Sequence, residues 1–205
     1  MSLEETKELK LTPILICGPS GVGKGTIIDI LMKRCPGLFG FSVSNTTRAP
    51  RPGEENGVHY NFVTVPEMEA AISNGEFIEY AKVHSNYYGT SVKAVENVMS
   101  EGRICILDLD TQGVRSVKTS SLDCNYIFIR PPSIQVLEQR LRGRGTETEE
   151  KIKLRLENAK QELLYGSEEQ GNFDMYVVNN DDGAEETATK ILTALKCWYP
   201  TVTFA

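Results

Sequence analysis

Short apolar runs alternate along the chain with stretches whose apolar residues recur every three or four positions. Ile14-Leu15-Ile16-Cys17 is the first run. It stops at Gly18, and a continuous apolar run of that length predicts a strand buried on both faces. From Gly23 to Arg34, Ile27, Ile28, Leu31 and Met32 fall on one helical face, and Pro36-Gly37 ends the helix. The same reading predicts helices over Val92–Glu101, from the candidate cap Ser133 to about Arg142, and over Ala184–Trp198. A longer helix runs to Leu164 from Thr146, where Glu149 three residues on suits a capping box. Strands are predicted at Ile104–Leu107, Tyr126–Ile129 and Tyr176–Val178. Strands alternating with helices predict an α/β fold with a mainly parallel core sheet flanked by helices.

Residues 42–91 break this rhythm. Strand-like pieces at Phe41–Val43, Tyr60–Val63 and Phe77–Val83 surround one short helix, Pro66–Asn74, with Gly75 as its stop. Arg48 to Gly57 is a polar loop rich in Pro, Gly and Glu. The region reads as an insertion that closes over a substrate.

Composition narrows the classes. The 205 residues suit one domain with enough apolar material for a core without disulfides. A net charge of -6 argues against wrapping long nucleic acid. Cysteines 17, 35, 105, 124 and 197 form no CxxC pair, and Cys17, Cys105 and Cys124 lie in or beside apolar runs, where buried thiols are expected. Met1–Lys10 is charged and unlike a signal peptide, and no stretch is long enough to span a membrane, so a cytoplasmic location is expected.

Gly18-Pro19-Ser20-Gly21-Val22-Gly23-Lys24 fits the GxxxxGK core of a P-loop, between a buried strand and a helix. Glycines let backbone N–H groups turn inward around phosphates, the helix N-terminus favours negative charge, and Lys24 reaches the β- and γ-phosphates. The usual Ser or Thr after the lysine is replaced by Gly25, followed by Thr26. The protein ligand of Mg²⁺ is therefore left open. The GKGT form resembles adenylate kinases, in which phosphates and water hold most of the metal. The loop indicates a nucleoside triphosphate without naming the acceptor.

Five further segments resemble guanylate kinases in order and spacing: Phe41 to Glu54, Gly57 to Phe62, Phe77 to Tyr80, Asn86 to Thr90 and Asp108 to Gly113. Arg140 to Glu150, with Arg155 beyond, resembles the lid of the same family. With the P-loop, the resemblance covers about Pro13 to Asp182. It implies that Arg48, Arg51, Tyr60 and Tyr88 grip the GMP phosphate, and that Ser44, Glu79, Thr90, Asp108 and Asp110 serve the rest of the GMP site. Thr90 stands where the family commonly has Ser. The chemistry is coherent in itself: paired arginines fork onto a phosphate, and an acceptor-only carboxylate at Glu79 suits the N1–H and N2–H₂ donors of guanine. On the donor side, Arg144, Arg155 and Arg51 match catalytic arginines, Arg140 a helper at the triphosphate, and Asn179 and Asn180 the segment lining the adenine pocket.

The resemblance implies a P-loop nucleoside monophosphate kinase fold: core near 11–41, 92–133 and 165–205, GMP-binding insertion near 42–91, helical lid near 134–164. It implies Mg²⁺-assisted transfer from ATP to GMP or dGMP by a monomer that needs neither nucleic acid nor membrane. Two rivals are weighed against it. Non-catalytic guanylate-kinase-like modules typically have degraded P-loops, whereas Lys24 and the glycines are present here. Adenylate kinases lack this acceptor region.

Overall fold

In the computed structural model, residues 11–51, 53–83, 85–143, 148–167, 171–181 and 183–204 are described. The first apolar run forms β1 (Ile14–Cys17), every residue of which is buried. It lies at the centre of a five-stranded parallel sheet, between β7 (Ile104–Asp108) and β8 (Asn125–Arg130). Outside these run β2 (Phe39–Phe41), against β7, and β9 (Met175–Val178), against β8. Because side chains alternate across a strand, β1 sends Ile14 and Ile16 to one face and Leu15 and Cys17 to the other. The first pair joins a cluster with Ile27 and Leu31 of helix α1 (Lys24–Arg34) and Ile191 and Leu195 of α7 (Ala184–Trp198). The second pair packs with Val95 and Val98 of α3 (Val92–Ser100) and Val114 and Val117 of α4 (Thr111–Thr119). Both faces are covered, as a parallel sheet of uninterrupted apolar strands requires.

The strands of the inserted region form a second sheet in the order β4-β3-β6-β5, built from β3 (Asn45–Thr46), β4 (Asn61–Phe62), β5 (Phe77–Val83) and β6 (Asn86–Ser91). Helix α2 (Val65–Ser73) accompanies it and is set by a capping box: Thr64 Oγ1 accepts from the Glu67 N–H, and the Glu67 carboxylate accepts from the Thr64 N–H at 2.7 Å. Helices α5 (Ile134–Gly143) and α6 (Glu149–Tyr165) precede β9. Ser133 caps α5 through Val136 N–H, as expected.

Several expectations need correction. The first edge strand is Phe39–Phe41 rather than Phe41–Val43, because Phe39 and Gly40 are the residues buried against β7. Helix α6 starts at Glu149 behind Thr148, which makes no side-chain cap, and Glu149 pairs with Arg142; Thr146, the other half of the expected capping box, lies outside the described residues. Helix α4 and strand β6 were not anticipated as elements. Cys17, Cys105 and Cys124 are buried free thiols, joined by Cys35. No helix among the described residues is long and apolar enough to cross a membrane.

Candidate active site

The carboxyl ends of the core strands meet at one edge of the sheet, where ligands of open α/β folds bind. β1 runs into the loop from Gly18 to Gly23, and α1 begins at Lys24. Gly21 and Gly23 have φ of 89° and 101°, in the left-handed region. A side chain at Gly23 would also meet the Asn179 amide nitrogen at 2.6 Å. Lys24 Nζ donates to the Gly18 carbonyl at 2.8 Å and lies 3.7 Å from Asp108 Oδ1, at the end of β7. Asp108 is 31% exposed at its side chain. The protein around it still raises its pKa by desolvation, which Lys24 partly offsets.

Around this loop several of the residues expected on the donor side converge. Arg155 on α6 donates to Ser20 Oγ at 2.9 Å. Arg140 on α5 donates to the Val22 and Asn179 carbonyls, at 3.3 and 2.9 Å, and pairs with Asp181. Asn179, buried beyond β9, donates to the Val22 carbonyl at 2.8 Å and accepts from Thr187 Oγ1 at 3.2 Å. Its amide thus ties β9 to the P-loop, while Asn180 is exposed. Gly23, Thr26, Arg140, Asn179, Asn180 and Ala184 line a cavity of about 510 Å³. Gly25 has open space where a side chain would project. Arg144 lies outside the described residues.

Most of the residues expected on the acceptor side lie in or beside the second sheet, while Asp108 and Asp110 belong to the core. Arg48 forms a bidentate pair with Glu54, both contacts at 2.9 Å, and its guanidinium lies 5.4 Å from the Tyr60 ring centroid. Tyr60 and Tyr88 meet edge to face at 6.1 Å. Arg51 is exposed at the loop tip. Glu79 on β5 pairs across the ladder with buried Thr90, whose hydroxyl lies 3.4 Å from Ser44 Oγ. Burial raises the Glu79 pKa, hydrogen bonds from Thr90 partly offset this, and the charge of Asp110 raises it further. Asp110 Oδ1 accepts from the N–H groups of Gln112 and Gly113, both at 2.9 Å, so one of its oxygens caps α4.

Two residues escaped the sequence reading. Glu162 lies two helical turns beyond Arg155 on α6, hence on the same face. It interacts with the Ser20 backbone and with Lys24, although burial raises its pKa. That spacing was the available signal. The other is Glu54, within the polar loop that carries Arg48 and Arg51. A larger cavity of about 900 Å³ holds none of the expected site residues; it lies between α3 and the insertion, beside the two joining segments, with Phe41, Val43, Ser91 and Val92 among its walls.

The guanylate kinase family model matches residues 10–197. The chain belongs to the guanylate kinase family. Guanylate kinase 1 of Oryza sativa subsp. japonica is 57% identical over 182 residues, covering 88% of this chain and 47% of the rice protein. The guanylate kinase of Schizosaccharomyces pombe is 48% identical over 187 residues, 91% of each chain. A crystal structure of guanylate kinase from Anaplasma phagocytophilum superposes with a TM-score of 0.66 at 30% identity, covering 93% of this chain and 87% of that one. The chain spans about half the length of the plant guanylate kinases it matches.

Proposed function

We propose that the chain is an ATP:GMP phosphotransferase that converts GMP, and dGMP more weakly, to the diphosphate. The observation that carries this reading is one P-loop lysine, Lys24, set against Asp108 at the mouth of a core sheet whose inserted sheet presents Glu79, Thr90 and Ser44 together. The first feature suits a triphosphate. The second offers a carboxylate where guanine has N–H donors and adenine N1 has a lone pair.

In this reading the P-loop amides, Lys24 and Thr26 hold the ATP phosphates, and Arg140 borders them while Asn179 and Asn180 line the adenine pocket. Arg48, Arg51, Tyr60 and Tyr88 hold the GMP phosphate; Ser44, Glu79, Thr90, Asp108 and Asp110 complete the GMP site. Arg51, Arg144 and Arg155 neutralise charge as the phosphoryl group moves. The acceptor oxygen is already ionised, so no general base is required. Residues 42–91 act as the GMP-binding insertion and 134–164 as a lid whose closure excludes water, which would otherwise hydrolyse ATP.

Mg²⁺ fits as a companion of the triphosphate. Among the described residues no group of three or more His, Cys, Asp or Glu side chains could hold it alone, while Thr26 and Asp108 flank the phosphate loop. When bound, it would supply positive charge that offsets the negative charge of the transferring phosphates. We take the protein to act as a cytoplasmic monomer; its buried free thiols favour a reducing compartment.

A coupled assay of ATP-dependent phosphorylation across GMP, dGMP, AMP, CMP and UMP tests the reading. GMP is expected to be turned over best. Equal rates with AMP and GMP refute it.

A further inference from the structure

Glu54 is tied to both arginines proposed for the GMP phosphate. Its two oxygens take the end-on edge of the Arg48 guanidinium, Nη1 and Nη2, at 2.9 Å each. The Ala49 carbonyl takes a further proton of Nη1 at 2.7 Å. The Arg51 backbone N–H donates to Glu54 Oε2 at 2.6 Å, and the Glu54 N–H donates back to the Arg51 carbonyl at 3.0 Å. The carboxylate is thus knitted into the turn that carries Arg51. Its pKa is lowered to about 2, first by the Arg48 hydrogen bonds and then by the Arg51 N–H, so it stays ionised at working pH.

A guanidinium has two bidentate edges. With the end-on edge turned to Glu54 and Nη1 also held by the Ala49 carbonyl, the side-on edge of Nε and the second Nη2 proton is the one turned away from the carboxylate. Tyr60 and Phe62 hold the plane of the group at 5.4 and 5.8 Å from their centroids. Tyr88, a proposed phosphate ligand, also hydrogen-bonds the Arg48 side chain, so the two proposed ligands are held together.

We infer that Glu54 is a positioning residue for the acceptor phosphate: it fixes the rotation of Arg48 and the turn bearing Arg51, so that one side-on edge of Arg48 is presented to GMP. This rests on the proposed function. It opposes a second reading of the same contacts, in which Glu54 is a stand-in anion that GMP must displace. The two differ in sign. Removing a positioning carboxylate weakens GMP binding despite removing negative charge; removing a competitor strengthens it.

The test is steady-state kinetics of Glu54→Gln, which keeps an acceptor for the Arg51 N–H but loses the charged fork. The expected result is a KM for GMP raised about tenfold or more, with kcat within about threefold and KM for ATP within about twofold. In an Arg48→Ala background the same change is expected to alter KM for GMP by less than about twofold, because Glu54 acts through Arg48. Glu54→Asp, which retains charge with shorter reach, is expected to fall between the wild type and Glu54→Gln, and thermal melting checks that each variant is folded. A lowered or unchanged KM for GMP, equal loss for both substrates, or full additivity with Arg48→Ala overturns the inference while wild-type turnover of GMP stands. A wild-type chain that neither binds nor phosphorylates GMP overturns the proposed function, and this inference with it.

Discussion

Arg155 on α6 donates to the hydroxyl of Ser20 in the P-loop at 2.9 Å, joining residues 135 positions apart. Glu162 engages the Ser20 backbone from the same helix face. The helix that brings a proposed catalytic arginine is thereby referenced to the loop proposed to hold the phosphates. Ser20→Ala removes one tether but leaves the guanidinium, so kcat is expected to fall by no more than about tenfold. Arg155→Ala removes the charge itself, and kcat should fall by about 100-fold or more, with a smaller change in KM for ATP. Equal losses in the two variants, read by steady-state kinetics, contradict a charge-based role for Arg155.

Two glycines of one loop carry opposite expectations. Gly23 combines a φ of 101° with an approach of 2.6 Å to the Asn179 amide, so Gly23→Ala strains the backbone and breaks the tie to Val22. A stability loss of about 1–3 kcal/mol is expected, with activity reduced at least about tenfold. Gly25 meets nothing within 4 Å and lies in the first turn of α1. Gly25→Ser should fold normally and keep activity within about tenfold, because no essential contact is restored. Denaturant melts and Mg²⁺ titrations of both variants check this; a large gain in Mg²⁺ affinity for Gly25→Ser counts against the metal arrangement proposed.

The buried strands, α1 and α7 were legible because a single physical rule, burial of apolar surface, determined them. Helix α4 was not. Its sequence, TQGVRSVKT, offers Val114 and Val117 as its only buried large side chains and contains a glycine, and its start depends on the Asp110 cap. Strand β6, NYYGTS, has no apolar alternation, since it is held by backbone pairing with β5 and β3. The family was legible through motif spacing, which reports chemistry rather than packing. Glu54 escaped because its contacts with Arg48 and Arg51 depend on how the loop folds back, which the sequence does not display, whereas Glu162 could have been found from its spacing to Arg155 on one helix face.

Glu79 provides a pH signature. Desolvation raises its pKa above the ordinary value of 4.5, so the neutral acid persists to higher pH than in an exposed carboxylate. Guanine donors favour the ionised form. KM for GMP is therefore expected to rise on acidification, beginning above the ordinary carboxylate range, and to fall back as pH increases. For stability the sign is reversed: the desolvation penalty is present when Glu79 is charged and relieved as pH drops through its raised pKa. Glu79→Gln should thus melt no lower than wild type at neutral pH, yet lose about 100-fold in efficiency with GMP. Its KM–pH profile, compared with wild type to cancel titration of the GMP phosphate, should lack the Glu79 inflection. Identical profiles would remove Glu79 from base recognition.

Closure is expected from where the charges sit. Arg51 is exposed on the inserted sheet's loop, whereas Arg155 is docked on the P-loop through Ser20, yet the proposed transfer needs both at one phosphoryl group. The insertion joins the core through the segment between β2 and β3 and through the β6–α3 junction at Ser91. A cavity of about 900 Å³ beside these segments leaves room for the two bodies to rotate. With ATP and GMP bound, electrostatic attraction to the shared phosphates would draw the insertion and the lid inward. Small-angle scattering is therefore expected to show a smaller radius of gyration with a bisubstrate analogue than without. Arg51→Ala and Arg144→Ala should lower kcat by about 100-fold or more while changing ATP affinity much less, because their charge is needed most as the phosphoryl group moves. Filling the joining cavity should oppose the motion from the other side. Val92→Trp, in a residue that lines that cavity outside the proposed nucleotide contacts, should slow turnover and blunt the scattering change. An unchanged radius of gyration, together with arginine variants that lose only ground-state affinity, would establish a rigid preformed site instead.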